Sequence, residues 1–212
     1  MTEDPTDDTR LRRSPDHKGF PEHARAHQHH RSLTAYEILC VLVRPNARNP
    51  QRMSLERFHH AQAGRWSGFA TALEEIRAGR KSSHWIWYVF PQIEGLGRSG
   101  TAREYALDGL AEAEAYLRDP VLRRRYLEIS QAAEEQLARG VLLERLMGGA
   151  TDALKMASSL TLFRAAAREL AIAESEPVFP QLAQLTDAML ARTTMQGYPA
   201  CKFTLAQINA KE

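Results

Sequence analysis

Residues 79–99 read GRKSSHWIWYVFPQIEGLGRS and crowd two tryptophans, a tyrosine, a phenylalanine, a histidine and two adjacent cations into one short segment. A helix that only packs against a core does not need this mixture. Trp85, Trp87, Tyr88 and Phe90 cannot share one helical face, because neighbours one and two positions apart point about 100° and 200° away from each other. Some of them must line a second surface. Pro91 ends the segment, and Gly95, Leu96 and Gly97 make a loop whose backbone can approach a ligand closely or take positive φ. Cations, aromatic faces and backbone N–H groups at a helix end are what a nucleotide or a sugar phosphate requires. In that reading Arg80 and Lys81 bind phosphate, Trp85 or Trp87 stacks on a ring, and Gln92 and Ser99 hydrogen-bond, with Ser83, Gly95 and Gly97 completing the set. The plainer reading stands beside it: the tryptophans plug the core and the cations are solvated.

A second polar cluster lies 60–70 residues further on. Asp152, Lys155 and Ser159 recur at helical spacings of three and four and so share one stripe. Facing the aromatic segment, that stripe would complete a pocket; otherwise it is an N-terminal helix charge and small residues at a helix crossing. Arg57 and Gln62 could reach the same site, Arg57 equally well as a structural ion-pair partner. If catalysis occurs, His84 or a carboxylate such as Asp152 or Glu94 is the acid or base, assisting departure of a base from a ribosyl cation.

The elements that must position these residues are helical. Ser54 and Ser67 can cap two short amphipathic helices, the second carrying Phe69, Leu73 and Ile76 and ending at Gly79. Asp108 can cap GLAEAEAYL. After Pro120, placed where a first turn tolerates proline, Leu122, Tyr126, Ile129, Ala133 and Leu137 mark a long helix stopped at Gly140. VLLERLM runs to the Gly148–Gly149 pair, Thr151 can open DALKMASSLTLFRAAARELA, and Pro177 and Pro180 punctuate before QLAQLTDAMLA and the closing TLAQINA. No useful strand alternation and no repeat appear. The expected fold is all-α, a single compact multihelical domain.

Composition bounds the function. The chain has 212 residues with 28 Lys and Arg against 26 Asp and Glu, and since residues 1–52 hold nine basic and seven acidic residues, 19 of each sign remain in 53–212. A neutral body lacks the basic face of a nucleic-acid binder, and Arg123, Arg124 and Arg125 spread around a helix as a solvated surface. No apolar run approaches the roughly 20 residues of a membrane span, so a soluble protein is expected. Cys40 and Cys201 form no disulfide framework and have no zinc-ligand spacing, which fits the cytoplasm. Residues 1–52, with Pro5, Pro15, Pro21 and the histidines at 23, 27, 29 and 30, are expected to be a disordered or non-native extension, with the domain starting at about Met53. No phosphate loop, GxGxxG, HExxH, CxxC or GxSxG occurs, so kinase, dehydrogenase, zinc-protease and serine-hydrolase readings fail. No metal or cofactor is expected.

Three blocks in order, LERFHHAQ at 55–62, the aromatic segment, and DALKMASSLTLF at 152–163, resemble the bacterial domain of unknown function 1810 family, some of whose members carry the label calpastatin. The resemblance runs from about Leu55 to about Leu190. It implies a small, cytoplasmic, multihelical domain and assigns no reaction. The chain departs from the family pattern at Met147, Gly148 and Gly149, where a Phe-Gly is usual, and at Ala191–Lys202. A looser likeness, in architecture alone, is to the NADAR domains that act on ADP-ribose N-glycosides. Together these readings anticipate a pocket for a small anionic, nucleotide-like ligand, with hydrolysis of an N-glycosidic bond as its catalytic form. The alternative is a non-catalytic module that offers residues 84–90 to a protein partner.

Overall fold

The computed structural model describes residues 54–210, so the expectations for residues 1–52 lie outside the described part of the chain. Among the described residues there are ten helices: α1 Glu56–Gln62, α2 Phe69–Arg77, α3 Ile86–Val89, α4 Gly100–Glu104, α5 Leu110–Arg118, α6 Pro120–Ala138, α7 Leu143–Met147, α8 Ala150–Ala173, α9 Val178–Met195 and α10 Lys202–Asn209. No strand forms among them beyond an isolated parallel bridge between Ile93 and Leu107. The fold is all-α, as the 3.6-residue period implies.

Helix α8 is the axle. Every residue from Met156 to Phe163 is buried, because α5, α7, α9 and α10 pack around it. A helix enclosed on all sides cannot be amphipathic, and its Ala and Ser positions let neighbours approach closely. Its hydroxyls are then paired internally. Thr161 Oγ1 donates to the Ala157 carbonyl at 2.7 Å and accepts from the Cys201 N–H at 2.9 Å, while Ser158 and Thr204 lie 2.9 Å apart. Beside it, rings from four elements interlock: Tyr126 stacks on Phe163 at 4.2 Å, and Tyr116 meets Phe163 edge-on at 5.1 Å, as does Phe58 with Tyr116 at 5.1 Å. Each such pair adds about 0.5–1.5 kcal/mol to the burial of its rings.

The first helix is fastened by polar side chains. Gln62 Nε2 donates to the Tyr88 carbonyl at 2.6 Å and to the Tyr116 hydroxyl at 2.9 Å. Arg57 pairs with Glu112 at 2.7 Å, with side-chain exposures of only 9% and 8%. Both therefore belong to the scaffold and not to a ligand site.

Four helix starts differ from the reading above. Leu55 stands at the start of α1 without a side-chain cap, and the Ser54 hydroxyl accepts the Glu56 N–H at 3.2 Å from one position further out. Asp108 does not cap α5; Gly109 stands there with φ +94°, and Glu112 reaches back to accept the Asp108 N–H at 2.7 Å. Gly68 starts α2, and the Ser67 hydroxyl accepts from Tyr88 at 3.0 Å instead. Gly149 starts α8, which leaves Thr151 inside the first turn. Pro180 also does not interrupt: it sits in the first turn of α9, where a missing N–H costs no intrahelical bond.

Candidate functional site

The aromatic segment is shaped by a residue that the motif reading passed over. Glu75, in the last turns of α2, accepts hydrogen bonds from the Ser82 N–H at 2.9 Å, the Ser82 hydroxyl at 2.7 Å, the Ser83 N–H at 3.1 Å and the Trp85 Nε1–H at 2.7 Å. Burial pushes its carboxyl up, yet these four donors outweigh burial and hold the pKa at about 2. One carboxylate thus folds the chain back after Gly79 and turns the indole of Trp85 inward. A glutamate four residues before a glycine and seven before Ser-Ser was the signal in the sequence.

Next, the Lys81 N–H donates to the Leu146 carbonyl at 2.8 Å, bringing the segment against α7 and the Gly148–Gly149 turn. Gly148 has φ +75°, and a Cβ there would lie 2.9 Å from the Lys81 carbonyl oxygen, so the close approach requires glycine. Here the two polar clusters of the sequence meet. Lys81 Nζ contacts Asp152 Oδ2 at 2.7 Å and Lys155 Nζ contacts Asp152 Oδ1 at 2.7 Å, with side-chain exposures of 7%, 19% and 22% for Lys81, Asp152 and Lys155. Lys155 Nζ also lies 4.5 Å from the centre of the Trp87 ring, and Lys81 Nζ 5.3 Å from that of Trp85. Burial pushes the Asp152 carboxyl up, but Lys155 and Lys81 outweigh it and hold it below the usual carboxylate range. It is an ionised strut between two ammonium groups.

A cleft of about 440 Å³ opens on this strut, lined by Lys81, His84, Trp87, Gly148, Gly149 and Asp152 among others. Gly149 provides no side-chain cap for α8, and the first residues of that helix, whose amides have no intrahelical acceptor, line the same cleft. The His84 ring makes no hydrogen bond to the described residues. Two further depressions adjoin. One of about 560 Å³ is lined mainly by apolar side chains and shares Thr151 and Lys155 with α8; another of about 530 Å³ lies beyond the Gly148–Gly149 turn, between Arg80, Glu144 and Arg145.

The anticipated ligand set is therefore divided. Lys81, His84, Trp87 and Asp152 share the cleft, and Lys155 stands where it meets the apolar pocket, which Gln92 and Gly97 also line. Arg80 is not with Lys81; although it is the preceding residue, it lines the third depression. Trp85 and Ser159 are fully buried, Ser159 lying 3.4 Å from the Tyr126 hydroxyl. Ser99 caps α4 by accepting the Ala102 N–H at 3.1 Å, and Gly95 turns with φ +91° against Phe203. Ser83 lends its N–H to Glu75, while its hydroxyl is buried without a partner among the described residues. An exposed aromatic hot spot over residues 84–90 is not present: Trp85, Tyr88 and Phe90 are buried and Trp87 is half-buried in the cleft wall.

Among the described residues no group of His, Cys, Asp and Glu could hold a metal, and no helix is long and apolar enough to cross a membrane. No curated protein matches the chain. The crystal structure of the conserved hypothetical protein Rv1873 from Mycobacterium tuberculosis is similar, with 34% sequence identity and a TM-score of 0.61 over 76% of this chain and 99% of that one. The matches bring with them neither the calpastatin label nor a NADAR domain. A family model described as protein of unknown function (DUF1810) matches residues 52–196. Since that span is most of the chain, the protein belongs to the DUF1810 family.

Proposed function

We propose that this chain binds a small organic anion in the cleft at the start of α8. The observation that carries the reading is the Lys81–Asp152–Lys155 strut, two ammonium groups on one carboxylate and hence one net positive charge, set beside uncapped helix amides. Lys81 is 8% exposed. Enclosing a lysine is a poor route to stability, since an apolar residue of similar volume packs as well without desolvating a charge. A charge retained at that cost is suited to recognising a charge of opposite sign.

Within this class the nucleotide-like ligands anticipated from the sequence, ADP-ribose among them, would set a phosphate against Lys81 and Lys155. A base stacking on Trp87 must use the ring face not covered by Lys155. In cleavage of an N-glycosidic bond the acid role would fall to His84, because Asp152 is held ionised by its two lysines and has no proton to donate. Binding alone asks less of the cleft and is the function its geometry supports best.

The test is calorimetry and thermal shift on the full chain with inorganic phosphate, small carboxylates, AMP and ADP-ribose, alongside Lys81→Met and Lys155→Ala. A ligand at a hundred times its Kd adds about 2.7 kcal/mol, which raises Tm by about 5–10 °C in a protein of this size. Either variant should weaken binding at least tenfold. A panel without a binder, or one bound equally by Lys81→Met, would refute the proposal.

A further inference from the structure

The apolar pocket beside the cleft narrows the class of anion, an inference that rests on the anion reading above. Its walls come from four separate stretches: Leu96, Ala102, Leu154, Ala157, Pro199 and Cys201. None of these side chains is aromatic, so the pocket offers no stacking surface to a base and suits an aliphatic body. Leu154, which lines the pocket, is 59% exposed, an apolar side chain left open in the first turns of α8. Gln92, 8% exposed, lines the same space; its Nε2 is occupied by the Phe90 carbonyl at 2.5 Å, and its Oε1 has no hydrogen-bond partner among the described residues.

Two residues join the apolar pocket to the charged cleft. Thr151 lines both, and Lys155 lines the apolar pocket while its ammonium contacts Asp152 and the Trp87 ring of the cleft wall, so a molecule seated against Leu154 and Cys201 has the Lys155 ammonium at its end. The charges limit what that end can be. Lys81 and Lys155 against Asp152 leave a single net positive charge, which one monoanion neutralises and a phosphate dianion overfills. We infer that the ligand is an amphipathic monocarboxylate, its carboxylate held at Lys155 and its aliphatic chain in the pocket between α4, α8 and the turn before α10.

Cys201 makes the inference testable. It is half-buried, lines the apolar pocket and becomes the single thiol once Cys40→Ser is introduced, because the chain has two cysteines. The experiment measures, in the full chain carrying Cys40→Ser, the rate of Cys201 labelling by a disulfide reagent together with calorimetric binding of butyrate, octanoate, octylamine, octanol and inorganic phosphate. Each methylene moved from water into an apolar site strengthens binding about fourfold, so octanoate, with four more methylenes, should bind roughly 250-fold more tightly than butyrate. It should slow labelling in proportion to occupancy, whereas octylamine and octanol should not. Lys155→Ala should remove at least tenfold of the octanoate affinity. Leu154→Ser, at an exposed position where folding is not at stake, should weaken octanoate while sparing butyrate.

The outcomes separate the two readings. Phosphate or butyrate binding that depends on Lys81, with no gain from chain length and no protection of Cys201, overturns this inference and leaves the anion reading standing. Octanoate that protects Cys201 equally well in Lys155→Ala, or octylamine that matches it, also overturns the inference, because the carboxylate is then not what the site recognises. No binding by any anion overturns both.

Discussion

Glu75→Gln is the substitution whose consequences can be worked out most fully. The carboxylate accepts four hydrogen bonds, and an amide of the same shape keeps one acceptor oxygen while turning an NH2 towards donors. Burial alone would raise this carboxyl, but the donors from Ser82, Trp85 and Ser83 draw its pKa from an ordinary 4.5 down to about 2. Between two such values lies on the order of 3 kcal/mol for a group shielded from water. Partial exposure screens that figure, and about 1–2 kcal/mol is the reasonable share. Because the folded-state pKa lies below the unfolded one, the unfolded chain binds more protons in this window, so the contribution is complete above pH 4.5 and drains away as pH falls towards 2. Glu75→Gln should thus lower Tm at pH 7 by about 2–8 °C. It should also flatten that part of the wild-type loss of stability between pH 4.5 and 2. Circular dichroism melts at four pH values read both effects, and emission from Trp85, released from its carboxylate, should change in the same variant. Wild-type Tm at pH 7 with an unaltered acid limb would refute the account of how the segment is held.

Other consequences follow from single contacts. Gly148→Ala adds a Cβ 2.9 Å from the Lys81 carbonyl at a φ of +75°, and should cost about 1–3 kcal/mol in chemical denaturation while weakening anion binding. Arg57→Ala strands Glu112 in a site where both side chains are under 10% exposed, and should cost about 3–5 kcal/mol. The double replacement Arg57→Leu with Glu112→Leu should recover most of that loss, since it leaves no buried charge unpaired. Asp152→Asn should leave the helical spectrum intact and abolish the fixed spacing of the two lysines, seen as faster exchange of their ammonium protons by NMR.

Much of the scaffold was legible because helices announce themselves by period. Leu122, Tyr126, Ile129, Ala133 and Leu137 mark the buried face of α6, and the block at 152–163 marked α8. What periodicity cannot show is which distant element supplies a partner. Asp152 and Lys155 were visible as one stripe, yet Lys81, the third member of the strut, stands 71 positions before Asp152 and reaches it through the Gly148–Gly149 turn. Trp85 and Trp87 looked equivalent. The difference is made by Glu75, which ties the first indole into the core and leaves the second at the cleft. Arg57 remained open between two roles until Glu112 was placed beside it. The apolar pocket was invisible for the same reason, because Leu96, Leu154 and Cys201 share no local pattern. Glycine starts were misread as Asp or Thr caps, since Asp108 and Thr151 satisfy the composition of a cap while Gly109 and Gly149 have the backbone freedom to form one.

The central claim is that an anion binds at the start of α8, and its most direct test is a titration followed by amide NMR. With octanoate or phosphate added to the full chain, the N–H signals of Gly149, Ala150 and Thr151 and the indole N–H of Trp87 should shift together along one saturating curve. The same titration of Lys81→Met should leave them still. Shifts confined to other surfaces, or no shift at saturating anion, would contradict the account.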